Sequence, residues 1–372
     1  MARFIGLMSG TSLDGVDAVL VESAGSSGTL RELAFAHLAF PSELRDELLA
    51  LNAPGPDELH RSALAGNGLA RVYAKAAEQL LAASGLAPSQ VDAIGAHGQT
   101  VRHRPREFDG VGYTLQLLNG SLLAEMTGIA VVCDLRSRDL AAGGIGAPLV
   151  PAFHAGIFAQ AGRQVAVLNL GGIANLTLLP ATGAVRGFDC GPGNVLMDLW
   201  VRRQHRQPFD AGGQWAASGR VDAGLLDTLL AEPFLALPPP KSTGRDLFNA
   251  PWLDARLAAS RAGLSDTDVM ATLAEFTSLG ATNALRQALP SVQTLLVCGG
   301  GAFNAHVMSR LKHLVPDGVE VLSTAARGVA PDRVEALAFA WLAREHLAGR
   351  AGSLPAVTGA RGPRVLGALY PV

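Results

Sequence analysis

Apolar residues along most of this chain fall into short runs separated by turns rich in glycine and hydroxyl residues. Residues 4–8 and 16–22 read as two strands joined by Ser9-Gly10-Thr11-Ser12-Leu13-Asp14-Gly15. The arrangement returns at 165–168 and 176–179, around Asn169-Leu170-Gly171-Gly172-Ile173-Ala174-Asn175. A third run, 295–298, enters Gly299-Gly300-Gly301 and then an amphipathic stretch from Asn304, with Leu311 and Leu314 on its apolar face. Further strands are expected at 34–40, 91–96 and 129–133, and a polar turn at 25–28. A helix is expected over 43–51, capped by Ser42. After the break at Pro54-Gly55-Pro56, Leu59, Ala63, Gly66, Leu69, Tyr73, Ala76 and Leu80 recur at helical spacing up to about Ser84, where Gly85 ends the pattern. A short helix over 122–127 stops at Gly128. A terminal helix over 331–347 carries Val334, Leu337, Ala338, Trp341 and Leu342 on one face.

A turn with two glycines and three hydroxyls suits close approach to something polar, and a phosphate chain is the natural partner. Gly10 and Gly15 allow positive φ, while Ser9, Thr11 and Ser12 offer donors. One such turn fits an ordinary β-hairpin equally well. Two of them in two halves, followed by a glycine-rich strand-to-helix turn, resemble the layout of the actin, hexokinase and Hsp70 type of phosphotransferase. That resemblance implies an α/β fold of two related, ribonuclease H-like domains with a cleft between them, closing on ATP. The hairpins would hold the phosphates, and the late turn would face the adenosine. The domain change is expected near residue 134, giving one domain of 1–133 plus 331–372 and a second of 134–330.

Composition allows this and removes other classes. The 372 residues suffice for two domains, and 49% hydrophobic against 17% charged residues favours a large core over disorder. A net charge of −2 points to neither nucleic acid nor a membrane surface as the main partner. Cys133, Cys190 and Cys298 are an odd count without a disulfide framework, which fits a reducing, cytoplasmic setting. Met1-Ala2-Arg3 leads straight into a strand, so no signal peptide is expected, and no apolar run is long enough to span a membrane.

The leading catalytic candidate is Asp189, in Gly187-Phe188-Asp189-Cys190-Gly191-Pro192-Gly193-Asn194. A carboxylate at a rigid turn, close in sequence to a phosphate hairpin, is placed to act as a general base, or merely bonds local turn amides. Asn194 can cap the following helix, which buries Val195, Leu196, Leu199 and Trp200. His97-Gly98-Gln99-Thr100 and His103-Arg104-Pro105 follow a strand and offer donors to a sugar, or simply form a hydrogen-bonded turn. Arg136 and Arg138 alternate, so a continuing strand would aim one of them at a ligand; pairing with Asp134 or Asp139 is the other reading. Lys241-Ser242-Thr243-Gly244-Arg245 lacks the glycine spacing of a P-loop and follows Pro238-Pro239-Pro240; it reads as a plain surface loop first, and as a flexible basic loop near a phosphate or substrate second. Glu335 adjoins an apolar run, so it either points into a cleft or stabilises a helix N-terminus. No Cys/His metal spacing is present and no metal ligand is assigned.

Taken together, the chain resembles the anhydro-N-acetylmuramic acid kinases, cytosolic bacterial enzymes of cell-wall recycling. The matching stretches are MSGTSLDGVD (8–17), HGQTVRHRP (97–105), VVCDLRSRDLAAGG (131–144), GAPLVPAFH (146–154), NLGGIANLT (169–177), GFDCGPGN (187–194), PPKSTGRDLFN (239–249), CGGGAFN (298–304), EALAFAWLA (335–343) and TGA (358–360). The resemblance implies an ATP-dependent, Mg²⁺-requiring kinase that also hydrolyses, turning 1,6-anhydro-N-acetylmuramic acid into N-acetylmuramic acid 6-phosphate. It makes Asp189 the base that activates water at the anomeric carbon. It places ATP on Gly10, Thr11, Ser12, Leu13, Asp14, Gly15, Val16 and Asp17, with Gly171, Gly172, Gly299, Gly300 and Gly301. It gives Thr100, Arg136 and Glu335 to the sugar. A homodimer is left open. Three positions depart from the family pattern: Ile145 stands for the usual Gln, Leu118-Asn119-Gly120 for a Gly-Asp/Asn-Pro, and Cys190 for Thr. The rival expectations are an ordinary sugar kinase of the same fold and a non-catalytic nucleotide-binding regulator.

Overall fold

In a computed structural model, which describes residues 1–10, 13–23, 30–239, 241–260 and 263–372, the chain forms two compact units. The first comprises Met1–Ile157 with Arg333–Val372, the second Phe158–Asp332. Thr11, Ser12, the expected turn at 25–28 and Pro240 lie outside the described residues.

Strands β1 (Ala2–Met8), β2 (Gly15–Ser23), β3 (Leu30–Ala39), β4 (Ala93–Ala96) and β7 (Val131–Cys133) build the sheet of the first unit. Strands β5 (Gln99–Pro105) and β6 (Gly112–Leu117) form a separate antiparallel hairpin. The order is β3-β2-β1-β4-β7, antiparallel through the first three and parallel from β1 onward, with β13 (Ala368–Tyr370) added beside β7. In the second unit β8 (Val165–Leu170), β9 (Ile173–Leu179), β10 (Arg186–Pro192), β11 (Thr294–Cys298) and β12 (Glu320–Ser323) run in the order β10-β9-β8-β11-β12. The strand senses repeat: β8, β9 and β10 are antiparallel neighbours, while β11 joins β8 and β12 in parallel. The duplication expected from the two hairpins is therefore present in the topology of both sheets.

Helices cover both faces of the first unit's sheet. Glu58–Ser84 lays Leu69, Tyr73, Ala76 and Leu80 into the first core and ends on Gly85 in the left-handed region (φ 69°). Its first turns overshoot the sheet, so Leu59 and Ala63 are both exposed. Ser42 is the first residue of the helix Ser42–Ala50, not its cap; Pro41 takes that position. The terminal helix Val334–Leu347 packs directly on β1 and β4. Two paired glycines make that possible, since a Cβ on Gly6 would stand 1.9 Å from the Ala336 carbonyl oxygen and one on Gly95 2.0 Å from that of Phe339.

The chain leaves the first unit at Ile157, later than the change expected near residue 134. The intervening segment is tied into the first unit by polar contacts. Buried Asp139 accepts from the Gly146 amide at 2.8 Å and the Thr358 hydroxyl at 2.9 Å, and the Ile145 amide donates to the Thr358 carbonyl at 3.0 Å.

Candidate active site

The first hairpin shows why its turn is glycine-rich, though not by positive φ at Gly15. A Cβ there would lie 2.4 Å from the Leu38 carbonyl oxygen of β3, and it is Leu13 that takes the left-handed conformation (φ 57°). Gly10 presents its carbonyl to the Leu13 amide and to Nε2 of Gln99, at 3.3 and 3.1 Å.

Beside this turn the first unit holds a cavity of about 410 Å³ lined by Ser9, Gly10, His97, Gln99, Thr100, His103, Arg136 and Glu335, with Met8 and Ala147. The three residues expected to touch sugar, Thr100, Arg136 and Glu335, thus share one cavity. Arg136 does not reach it by strand alternation. The strand ends at Cys133, Asp134 takes a positive φ (52°), and Ser137–Ala141 is a short helix that leaves Arg138 outside the cavity lining. Arg136 donates from Nη1 to the Gly146 carbonyl at 2.8 Å and from Nη2 to Nε2 of His97 at 2.9 Å.

The partners of this guanidinium fix the protonation around it. An arginine only donates, so Nε2 of His97 is an acceptor and the ring proton sits on Nδ1, which donates to the Ser9 carbonyl at 3.1 Å. Burial and then Arg136 push His97 down to about 3, so the ring stays neutral. The Ser9 hydroxyl donates to the Gly98 carbonyl at 3.0 Å and accepts from the buried Tyr73 hydroxyl at 2.7 Å. Burial lowers Arg136 to about 10, against the opposing pull of Glu335, and raises Glu335, against the pull of Arg136. Gln116 Nε2 donates to Thr114 at 2.7 Å and Thr100 at 3.2 Å, which leaves the Thr100 hydroxyl proton for a ligand. Gln99 Oε1 is buried with no partner among the described residues. The cavity therefore offers fixed donors and acceptors to a polyhydroxylated molecule.

Glycines converge in the second unit as well. The β8–β9 turn accepts the Asn194 amide at the Gly171 carbonyl (2.8 Å) and the amides of Gly193 and Val195 at Gly172 (2.9 and 3.1 Å). Asn194 makes no side-chain cap on its helix; its Nδ2 donates to the Leu170 carbonyl at 2.8 Å, tying the helix Val195–His205 to the hairpin. A Cβ on Gly301 would meet that of Leu170 at 2.5 Å, so the third glycine turn packs on the same hairpin. Beside them a cavity of about 360 Å³ is lined by Asn194, Met197, Asp198, Phe209, Asp210, Gly212, Gly300, Phe303 and Asn304. Phe209 and Phe303, both more than half exposed, give this cavity two aromatic walls.

Asp189 stands on β10, the edge strand of this sheet, at a register shift between Asp189 and Gly191. Its Oδ2 accepts from the Ser242 hydroxyl at 2.8 Å and the Thr243 amide at 3.0 Å. Burial raises its carboxyl above the ordinary range, and these two donors oppose the rise. The loop read as plain surface from its sequence therefore carries the partners of the base candidate. Cys190, in place of the family's Thr, donates its thiol to the Ala174 carbonyl at 3.3 Å, and burial pushes that thiol up to about 12. Ile145 needs no side-chain bond, because its loop is held through Asp139 and Thr358.

The family model described as anhydro-N-acetylmuramic acid kinase matches residues 2–372. The chain belongs to that family. Its similarity to curated members runs end to end. A protein named anhydro-N-acetylmuramic acid kinase from Variovorax paradoxus is 63% identical over 374 residues, covering 99% of this chain and 98% of that one. One of the same name from Pseudomonas putida is 53% identical over 371 residues and 100% of both chains. Among solved structures, a ROK family glucokinase from Streptomyces griseus in complex with glucose and AMPPNP aligns at 14% identity and a TM-score of 0.41, covering 92% of this chain and 100% of that one. Membership gives the two glycine hairpins and the late glycine turn one shared context, in place of three separate turns.

Proposed function

We propose that the chain is an ATP-dependent kinase that opens 1,6-anhydro-N-acetylmuramic acid hydrolytically and phosphorylates O6, yielding N-acetylmuramic acid 6-phosphate and ADP in peptidoglycan recycling. Its match to the family over residues 2–372 carries this reading. The candidate residues support it. Asp189 engages its loop partners through Oδ2, and Oδ1 takes a proton from water as that water attacks the anomeric carbon. The C1–O6 bond breaks, O6 accepts the γ-phosphoryl group, and the bond to the β-phosphate oxygen breaks to release ADP. Arg136, Glu335 and Thr100 bind and orient the sugar. The glycine turns give backbone amides to the phosphates, and the cavity of Phe209 and Phe303 takes the adenosine.

No group of three or more His, Cys, Asp or Glu side chains among the described residues could hold a metal ion. In this reading Mg²⁺ would enter with the nucleotide's phosphates. Bound there, Mg²⁺ supplies charge neutralisation at the β- and γ-phosphates. No helix among the described residues is long and apolar enough to cross a membrane; the cytoplasmic setting belongs to this reading.

The test is turnover of 1,6-anhydro-N-acetylmuramic acid with ATP and Mg²⁺ in ¹⁸O-water, with free N-acetylmuramic acid as the control. One label on C1 of the product and none in the phosphate is expected. Label in the phosphate, or free N-acetylmuramic acid appearing before ADP, refutes the coupled reaction. Preference for the free sugar identifies an ordinary sugar kinase.

A further inference from the structure

The segment 241–249 docks on the free edge of β10, and its contacts concentrate on one residue. The Asp189 amide donates to the Lys241 carbonyl at 3.1 Å, and Ser242 and Thr243 both donate to Oδ2 of the same aspartate. The segment is pinned on both sides of these contacts. Upstream, Nζ of Lys241 donates to the carbonyls of Phe234 and Leu235 at 3.2 and 2.9 Å and lies 4.8 Å from the Phe234 ring centre. Downstream, the amides of Leu247 and Phe248 close on the Gly244 carbonyl, and Phe248 is fully buried. A loop fixed at both ends that spends two donors on one oxygen of one carboxylate is more than a surface connection.

We propose that segment 241–245 is the positioning element of the base: Ser242 and Thr243 clamp Oδ2 of Asp189 and leave Oδ1 alone to take the proton of the attacking water. This rests on the reading of Asp189 as general base given above. The clamp does two things. It fixes the carboxylate plane at the point where the register shift in β10 disrupts the ladder. It also favours the charged, proton-accepting form, because hydrogen bonds donated to a carboxylate stabilise the anion. Burial works in the opposite direction.

Few other charges act at this point. Cys190, the neighbouring titratable group on β10, is a buried thiol, and the ammonium of Lys241 is turned to the Phe234 and Leu235 carbonyls. Strand β9 carries no ionisable residue. Glu275, on the helix Asp266–Ala288 that packs against β10, is held bidentately by Arg310. Glu232, before the short helix Pro233–Ala236, is held by Trp252 and Arg256. Arg245 leans to the β8–β9 hairpin, its Nη2 4.0 Å from where a Cβ of Gly172 would stand.

The experiment is the pH dependence of kcat for the wild type, Ser242→Ala and Ser242→Thr, with Asp189→Asn as reference. Ser242 is exposed, so its truncation leaves the core intact. Losing one donor makes the carboxylate easier to protonate, and the acidic limb of Ser242→Ala is expected to move to higher pH by about 0.5–1.5 units. Both KM values should stay within about twofold, and Ser242→Thr should restore the limb. An unmoved limb, or a uniform loss at every pH, overturns the proposal. Wild-type turnover by Asp189→Asn overturns the assignment of the base and the clamp with it. Absence of activity in the wild type would instead refute the function.

Discussion

Asp198 offers a prediction that can be tested in solution without substrate. It sits in the first turn of the helix Val195–His205, on the wall of the second unit's cavity. Burial raises its carboxyl from 3.8 to about 6, with Arg202 and Arg245 only partly offsetting the rise. At about 1.4 kcal/mol per pH unit, a rise of about 2 units corresponds to about 3 kcal/mol, and the side chain's partial exposure reduces this to about 1–2 kcal/mol. The sign follows from where the proton is held. The folded-state pKa lies above the unfolded one, so the folded protein keeps the proton between about pH 4 and 6. That contribution to stability is lost as pH rises through 6. Asn cannot ionise. The stability of Asp198→Asn relative to wild type should therefore grow by about 1–2 kcal/mol between pH 4 and 7. Urea unfolding followed by tryptophan fluorescence measures this well, because Trp200, Trp215 and Trp252 all lie in the second unit. A difference between variant and wild type that stays flat across this pH range would refute the reasoning.

Two further substitutions probe the first unit. Arg136→Lys keeps the charge but loses the fork that spans the Gly146 carbonyl and His97, so KM for the sugar should rise about 10–100-fold with the affinity for ATP unchanged by calorimetry; a KM within twofold of wild type refutes the assignment. Gly6→Ala drives a methyl into the Ala336 carbonyl and should cost about 1–3 kcal/mol in denaturant unfolding, whereas a loss below about 0.5 kcal/mol would contradict the close helix–sheet contact.

Much of this architecture was legible because it is written in local signals. The two apolar pairs around glycine turns became β1–β2 and β8–β9, and glycine-terminated helical periodicity became Glu58–Ser84. Thr100, Arg136 and Glu335, which the family resemblance gives to the sugar, line one cavity. The parts that could not be read depend on contacts between distant segments. Ser242 and Thr243 lie more than fifty residues from Asp189, and nothing in a Lys-Ser-Thr-Gly run says which carboxylate it meets. Asp139 binds Thr358 across 219 residues, and Phe153 and Gly156 pack on Trp341, so the segment through Ile157 stays with the first unit. Arg136 was to face a ligand only if the strand expected at 129–133 continued, and the positive φ of Asp134 ends it there. The local pattern carried no sign of that.

The repeated strand order has a further consequence for how two halves built alike came to carry different chemistry. Each sheet has a fourth strand lying parallel to its first, β4 on β1 and β11 on β8, and the chain leaving it arrives at the same address in both units. In the first unit that address is His97–Gln99, which ties back to Ser9 and Gly10 and continues into the β5–β6 hairpin. In the second it is Gly299–Phe303, a tight turn against Leu170 with no hairpin at all. Polar side chains stand at this place in one copy, and glycine backbone packed on the neighbouring hairpin in the other. On sheets of the same strand order, the segment beyond the fourth strand thus adds polar side chains to the cavity wall of one unit and a glycine turn to that of the other.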